Sequence, residues 1–346
     1  PPVPPPRAEP IAACAGRPAG SGAAVRVASL YGPVQEDLPI VEATLDSIKQ
    51  TDFQVLAEML SHALAGGGKR MRPALALLAA RYRNYNLELL VPLAASVELL
   101  HTATLVHDDV IDVAASRRGR PTANSLYDNA ASVMLGDFMF AHAADLVART
   151  GNVRVIRLFA RTLMHMAAGE LDQDVSAFDW SRSVRDYLRR IGGKTASLIA
   201  TACEGGAIIS GAPEDWIEAL RDYGQNLGMA FQIVDDLLDF TGNEAQMGKP
   251  VGSDLMQGTL TLPSLLLMEA SPRDNPIKRL FQSRRGSKLR LEVAVRAVLE
   301  SGAIARSREV ADGYGKQALA ALNRLPPNET THTLIELVDY VLERDS

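Results

Sequence analysis

The sequence predicts an all-α protein that consists of one large helical domain. From about residue 36 onward, apolar residues recur every three or four positions, as in Val91, Ala94, Ala95 and Leu99, which gathers side chains on one face of an α-helix. Runs in which β-branched and polar residues alternate, the pattern of half-buried strands, do not occur. The length of 346 residues and the hydrophobic content of 47% allow one sizeable core.

Five breaks divide the helical pattern, and each is rich in glycine, proline or small polar residues. They lie at residues 66–73 (GGGKRMRP), 116–122 (SRRGRPT), 176–181 (SAFDWS), 209–215 (ISGAPED) and 241–254 (TGNEAQMGKPVGSD). None has the composition of a flexible linker, and no short-period repeat is present, so we expect the helices to pack into one domain.

The first thirty residues differ in composition from the rest of the chain. Residues 1–27 hold seven of the nineteen prolines, and proline lacks the amide hydrogen that helices and inner strands need. We therefore expect residues 1–30 to form a Pro-rich, disordered extension and residues 31–346 to form the helical domain. Because three arginines stand against one glutamate in this extension, a targeting peptide is an alternative, although prolines disfavour the amphipathic helix of such signals.

Charge and cysteine content exclude several classes of protein. A formal net charge of -5 and a pI near 5.8 do not fit a nucleic-acid-binding surface, which needs a basic excess. The two cysteines, Cys14 and Cys203, are too few for a disulfide framework and favour a reducing compartment, so we expect a cytoplasmic protein. The longest apolar runs, ALALLAA from residue 74 and LPSLLLM from residue 262, are shorter than the roughly 20 residues of a membrane span.

A cluster of carboxylates lies in the otherwise apolar segment LVHDDVID, residues 105–112. It places Asp108, Asp109 and Asp112 within five positions, and an unpaired carboxylate in an apolar interior is costly in free energy. Either these groups take up protons, or a cation lies between them.

The segment QIVDDLLDF, residues 232–240, repeats the pattern with Asp235, Asp236 and Asp239. Positions i and i+4 of a helix share one face, so the first and last aspartates of each motif point the same way. One motif alone would fit a solvated acidic helix face, but two copies flanked by apolar residues favour an anionic pocket. Hard oxygen ligands without cysteine favour Mg²⁺, which binds carboxylates, substrate phosphates and water.

Basic residues that could bind phosphate accompany the two motifs. GGGKRMRP leads into a helix start, where free amides and the helix dipole favour an anion; an ordinary basic turn is the alternative. A guanidinium group can bind two phosphate oxygens at once through two of its N–H groups. The segment RRGRPT places three arginines after the first motif. The candidates are Lys69, Arg70, Arg72, Arg117, Arg118, Arg120, Lys194 and Lys249.

Taken in order, these segments resemble the trans-isoprenyl (polyprenyl) diphosphate synthases, from about residue 36 to the end of the chain. The resemblance is carried by GGGKRMRP, HTATLVHDDVID, RRGRPT, GGKTASL and QIVDDLLDF followed by GKPVGSD. It implies a helical bundle around a deep central cavity, usually in a homodimer, with the aspartate motifs on opposing helices. It also implies that Mg²⁺ ions held by the aspartates bind the diphosphate of an allylic substrate.

The resemblance further implies roles for individual residues. Three Mg²⁺ ions would be held by Asp108, Asp112 and Asp235, with indirect or water-mediated help from Asp109, Asp236 and Asp239. The allylic diphosphate would contact Arg117, Lys194 and Lys249. Isopentenyl diphosphate would contact Lys69, Arg72, His101 and Arg118. Catalysis would involve Lys194, Thr195 and Gln232, the last two through oxygens that face the developing carbocation. On sequence alone, His101 could equally be a core histidine.

The implied reaction condenses isopentenyl diphosphate with an allylic diphosphate to give a long-chain all-trans polyprenyl diphosphate. Three alternatives stay open at this point. A geranylgeranyl diphosphate synthase would stop at the C20 product, and a terpene cyclase would lack the isopentenyl diphosphate site. A non-catalytic partner subunit of a heteromeric synthase would typically lose one aspartate motif, whereas both are complete here.

Small residues before the first motif favour a long product. Each added isoprene unit occupies about 5 Å, close to one helical turn, so side chains one turn before Asp108 would form the floor for short products. Ala103 and Thr104 stand there, whereas short-chain relatives tend to have aromatic residues. The floor would then lie deeper, near Leu99, Leu100 or Leu135. The resemblance to long-chain members of the family implies a product of roughly C30 to C50.

One position departs from the family pattern. Many relatives carry a lysine in the loop after the second motif, where this chain has Thr259. We expect a weaker hold on the leaving diphosphate, or compensation by another cation such as Arg70.

Overall fold

The structure is a computed structural model that describes residues 30–65, 68–117, 119–242, 250–273, 275–282 and 288–344. Residues 1–29 of the expected extension lie outside the described residues, and so do the candidate site residues Arg118 and Lys249. Leu30 and Tyr31 are buried in the helical core.

Helices dominate the described residues, which confirms the prediction of an all-α fold. The N-terminal half contains α1 (Leu38–Ser47), α2 (Gln54–Leu64), α3 (Met71–Ala80), α4 (Leu87–Ile111), α5 (Ala123–Leu126), α6 (Asn129–Ala148) and α7 (Val153–Val175). The C-terminal half contains α8 (Val184–Ile191), α9 (Ser197–Ile209), α10 (Glu214–Thr241), α11 (Ser253–Met256), α12 (Leu262–Ala270), α13 (Pro276–Gln282), α14 (Lys288–Glu300), α15 (Ala303–Leu322) and α16 (Glu329–Glu343).

A short β-hairpin interrupts the helices and corrects the expectation that the chain is helical throughout. Its strands, β1 (Ser116–Arg117) and β2 (Arg120–Pro121), pair antiparallel. Gly119 in the turn has a φ of 73°, a left-handed conformation that tight hairpin turns require and that glycine adopts without steric cost. The hairpin places Arg117 and Arg120 at a cavity that is also lined by one aspartate of each motif.

The core is built around the two long helices that carry the aspartate motifs. α4 packs against α3, α6 and α9, whereas α10 packs against α9, α15 and α16. From Leu90 to Leu100, every residue of α4 except Pro92 is buried. The second half of α10 contributes a further apolar cluster with α12. The first motif runs from the core to its edge, whereas in the second motif Asp235 is exposed and Asp239 is buried.

α10 also packs closely against a π-helical turn, Gly192–Ala196, that joins α8 to α9. A Cβ atom built on Gly228 of α10 would lie 2.6 Å from the Cα atom of Ala196, so glycine is required for this approach. The contact holds the turn beside the second aspartate motif.

Two helices among the described residues, α4 and α6, are long and apolar enough to cross a membrane by length and composition, although no uninterrupted apolar run reaches this length. Polar residues such as Glu98 and His101 interrupt the apolar residues of α4, so the sequence shows only short apolar runs there. However, 67% of the most apolar window of α4 is buried inside the protein, which identifies a core helix. In α6, 39% of the most apolar window is buried inside the protein.

Candidate active site

Both aspartate motifs lie at the C-terminal ends of their helices and meet at one cavity of about 630 Å³. Asp109 lines it from the first motif and Asp235 from the second. A helix C-terminus carries a partial negative charge, so the two helix ends add to the charge of the carboxylates. The same cavity is lined by the basic and imidazole side chains of His62, Lys69, Arg70, Arg72, His101, Arg117, Arg120 and Arg344.

Asp108 lies in a charged cluster with Lys194 and Glu170. Its side chain is 15% exposed, its Oδ2 lies 3.9 Å from Lys194 Nζ, and Lys194 also forms an ion pair with Glu170. Loss of hydration raises the pKa of Asp108 to about 7, although the charge of Lys194 opposes the rise. Burial likewise raises the pKa of Asp112 above its usual value. A further cation between these carboxylates would stabilise their ionised forms.

Asp109 has a different partner from the other aspartates of the first motif. It is buried, and its Oδ1 accepts a hydrogen bond of 2.7 Å from Arg117 Nε. This ion pair ties the β-hairpin to the end of α4. Arg117, which the resemblance assigns to the allylic diphosphate, lines the same cavity as Lys69 and Arg72, which it assigns to isopentenyl diphosphate.

Asp235 is the exposed aspartate of the second motif, and its carboxylate forms an ion pair with Arg344. The Arg344 guanidinium also lies 4.4 Å from the centre of the Phe231 ring, in the position of a cation–π contact. Arg344 is thus the counter-ion of a candidate metal ligand, and a cation at Asp235 would compete with it.

The other two aspartates of the second motif are buried and bonded within the protein. Asp239 accepts hydrogen bonds from Ser253 Oγ at 2.7 Å and from the Asp254 backbone N–H at 3.3 Å, which ties α10 to α11. Burial raises the pKa of Asp236 to about 8. Its oxygens accept hydrogen bonds from Tyr187 Oη at 2.6 Å and from Gln232 Nε2 at 2.8 Å.

The π-helical turn carries two predicted catalytic residues, Lys194 and Thr195. Thr195 Oγ1 donates a hydrogen bond of 2.7 Å to Gln232 Oε1. The structure thus brings together Thr195, Gln232 and the second aspartate motif, while Lys194 reaches across to the first. π-helical turns are rare and occur frequently at functional sites, because the wider turn changes the direction of its side chains.

Arg70 belongs to the basic turn before α3 but is committed to two carboxylates. Its φ of 49° is uncommon for a residue with a side chain. Its guanidinium donates to Glu98 at 2.7 Å and to Glu42. These pairs argue against the expectation that Arg70 compensates for the lysine missing at Thr259. The neighbouring Lys69 has its Nζ 5.1 Å from the centre of the Tyr340 ring.

The residues expected to set product length lie within the core, mainly on α4. Thr104 is half-buried and the others are at most 1% exposed; the set is Leu99, Leu100, Ala103, Thr104 and Leu135. α6 approaches α4 closely here, because a Cβ atom on Gly136 would lie 2.1 Å from His107 Nε2.

Three residues of the site escaped the sequence interpretation: Glu170, Tyr187 and Arg344. The acidic helical segment GELDQD, residues 169–174, offered a signal for Glu170. No local pattern distinguishes the other two, because their aspartate partners lie 49 and 109 positions away in the chain.

The carboxylates suit a hard divalent cation that takes further ligands from elsewhere. Across the part of the chain that the structure describes, no group of three His, Cys, Asp or Glu side chains forms a ready-made metal site. The available donors are the carboxylate oxygens of Asp108 and Asp235. Each lies beside a positively charged side chain, Lys194 or Arg344, which shows that the surroundings favour a cation there. Such pairs fit an ion that completes its coordination with phosphate oxygens and water.

Comparisons with known proteins identify the family of the chain. The profile of the polyprenyl synthetase family matches residues 53–298. The chain is 40% identical over 323 residues to heptaprenyl diphosphate synthase component 2 of Geobacillus stearothermophilus, covering 93% of this chain and 100% of that protein.

Two solved structures superpose closely on the chain. Decaprenyl diphosphate synthase from Rhodobacter capsulatus has a TM-score of 0.86 and 40% identity, over 92% of this chain and 99% of that one. A polyprenyl synthase from Caulobacter crescentus, complexed with calcium and isoprenyl diphosphate, has a TM-score of 0.88 and 36% identity, over 95% and 100% of the two chains.

The chain belongs to the polyprenyl synthetase family. The residues that the family profile matches include both aspartate motifs, the basic turn before α3 and the β-hairpin. The family assigned from the ordered motifs of the sequence is therefore confirmed.

Proposed function

We propose that this chain is a prenyltransferase that condenses isopentenyl diphosphate with an allylic diphosphate and repeats the step to make a long-chain all-trans polyprenyl diphosphate. The carrying observation is the single cavity at which one aspartate of each motif meets Lys69, Arg72 and Arg117. Two diphosphates need both direct cations and bound metal ions, and this cavity offers groups for both. The relatives named for heptaprenyl and decaprenyl diphosphate favour a long product.

The proposed metal ligands are Asp108, Asp112 and Asp235, with three Mg²⁺ ions per site expected from the family resemblance. When bound, Mg²⁺ stabilises the negative charge that develops on a departing diphosphate. Asp109, Asp236 and Asp239 act indirectly in this proposal, because each is bonded to protein donors.

The chain's own cations orient the two diphosphates. Lys194, with Arg117 and Lys249, would contact the allylic diphosphate, and its place beside Asp108 supports this role. Lys69, Arg72, His101 and Arg118 would hold isopentenyl diphosphate. Thr195 and Gln232 would face the allylic cation with their oxygens. Exclusion of water from the occupied site would protect that cation from being quenched.

A second copy of the chain is the expected partner, in a homodimer. Four apolar side chains of α7 are more than 60% exposed and recur at spacings that keep them on one face: Val153, Met164, Leu171 and Val175. Met134 of the adjacent α6 is 72% exposed. These exposed apolar side chains suit a symmetric contact with a second copy of the chain.

One alternative has a specific observation in its favour. The relative from Geobacillus stearothermophilus is named as a component of its synthase, so the chain could be the catalytic partner in a two-component enzyme.

We propose a cytoplasmic location from the low cysteine content.

Incubation of the purified chain with Mg²⁺, labelled isopentenyl diphosphate and allylic starters of several lengths tests the proposal. We expect labelled all-trans products longer than C20, which chromatography of the dephosphorylated chains resolves. A cyclic hydrocarbon, or no incorporation by the purified chain with any starter, would contradict it.

A further inference from the structure

A chain of three hydrogen bonds connects a buried tyrosine to one of the proposed catalytic residues. Tyr187 on α8 bonds to Asp236 Oδ2, Gln232 bonds to Asp236 Oδ1, and Thr195 bonds to Gln232 Oε1. The three distances are 2.6, 2.8 and 2.7 Å, so each is a well-formed bond. Tyr187 is 2% exposed and does not line the cavity described above.

The placement of the Gln232 amide sets the direction of the bonds on either side of it. Its Nε2 lies towards Asp236 Oδ1 and can only donate, while the hydroxyl of Tyr187 bonds to the other oxygen of the same carboxyl group. The NH₂ group of Gln232 therefore faces Asp236, and its carbonyl oxygen faces Thr195. Because that oxygen only accepts, the hydroxyl of Thr195 must donate its single proton to Gln232.

We propose that Tyr187 is a positioning residue that, through Asp236 and Gln232, keeps the Thr195 hydroxyl proton turned away from the reacting allylic group. Thr195 then presents oxygen lone pairs, and no proton, to the positive charge that develops when the allylic bond ionises. Correctly aimed dipoles stabilise such charge without reorganising during the reaction. This inference rests on the proposed function, which places Thr195 beside the cation.

The position of Thr195 supports this role. It directly follows Lys194, whose Nζ lies 3.9 Å from Asp108 of the first motif, so the π-helical turn faces the proposed metal site. The close contact between Gly228 and Ala196 fixes the same turn against α10. Without the tyrosine hydroxyl, the Asp236 carboxyl group loses one of its two partners and can rotate away from Gln232 Nε2. The Gln232 amide is then no longer held with its oxygen towards Thr195, and the Thr195 proton can turn towards the cation.

The test is a comparison of Tyr187→Phe, Thr195→Val and the double variant under single-turnover conditions with a saturating allylic substrate. We expect Tyr187→Phe to slow the chemical step about tenfold, the effect of one well-placed hydrogen bond. The KM values and the Kd for an unreactive allylic thiodiphosphate, measured by calorimetry, should change less than about twofold, because no diphosphate contact is lost.

The double variant separates positioning from general damage to the fold. If Tyr187 acts through Thr195, Tyr187→Phe should cause no further loss in the Thr195→Val background, and Thr195→Ser should keep most of the wild-type rate. Tyr223→Phe is the matched control, since Tyr223 is fully buried and donates 2.8 Å to the Leu334 carbonyl away from the site. It should leave the rate unchanged. If Tyr187→Phe fails to fold, Asp236→Asn weakens the link between Tyr187 and Gln232 without removing a group placed at the cation, and takes its place.

A wild-type rate for Tyr187→Phe, or losses that multiply in the double variant, would overturn the inference and leave the proposed function intact. A wild-type rate for Thr195→Val would remove Thr195 from the cation, and with it both the role assigned to Thr195 and this inference.

Discussion

The buried carboxyl of Asp108 should make the stability of the metal-free protein depend on pH. Its pKa is raised to about 7 from a usual value of 3.8, so between these values the unfolded chain releases a proton that the folded chain retains. The free energy of unfolding therefore falls as pH rises from about 4 to 7, and the difference in pKa corresponds to at most roughly 4 kcal/mol. Asp108→Asn removes this titration and should be relatively more stable at high pH.

Urea unfolding of the wild type and Asp108→Asn, in EDTA at pH values from 4 to 8, measures the effect. From pH 4 to pH 8, we expect the free energy of unfolding of the variant to rise relative to that of the wild type by about 2–4 kcal/mol. The exposed Asp52→Asn should show no such trend. Mg²⁺ should stabilise the wild type most at the high end of the range, because it binds the ionised carboxylates. Parallel pH profiles for the wild type and Asp108→Asn would refute the reasoning.

Three further outcomes are expected. Arg70→Ala leaves the carboxylate of Glu98, whose side chain is 8% exposed, without its partner and should lower the free energy of unfolding in urea by about 3 kcal/mol; a loss within error would contradict this pairing. Arg72→Ala should chiefly raise the KM for isopentenyl diphosphate, by about tenfold for one lost charged contact, whereas Lys194→Ala should chiefly lower kcat. If both variants changed the kinetics of the same substrate only, the division into an isopentenyl diphosphate site and an allylic diphosphate site would be wrong. Ala103→Phe should shorten the product to roughly C15–C20 by blocking the path one turn below the first motif, as chromatography would show, and an unchanged product would place that path elsewhere.

The features that the sequence predicted depend on contacts between residues close in the chain. The helical pattern and the i, i+4 spacing of the aspartates are local, and they placed both motifs correctly on helices α4 and α10. The β-hairpin was missed because its strands have two residues each, too few for an alternating pattern to be visible.

The features that the sequence could not show depend on distant contacts. Arg70 stands in a basic turn like a phosphate ligand, and its pairing with Glu42 and Glu98 arises only when α1 and α4 pack beside it. Similarly, Arg344 meets Asp235 across 109 positions. Charge patterns along the chain identify which residues are ionic, but tertiary packing decides which of them remain available to a substrate.

The most direct test of the account is the rate of Mg²⁺-dependent isopentenyl diphosphate incorporation by the wild type, Asp108→Ala and Asp235→Ala. If the carboxylates of both motifs hold the cations that activate the allylic diphosphate, each variant should lose at least about a hundredfold in turnover, the scale of a key electrostatic group. Asp52→Ala, at an exposed position on the linker between α1 and α2, should keep the wild-type rate. Near-normal turnover in either motif variant would contradict the assignment of metal-bound diphosphate to the two aspartate motifs.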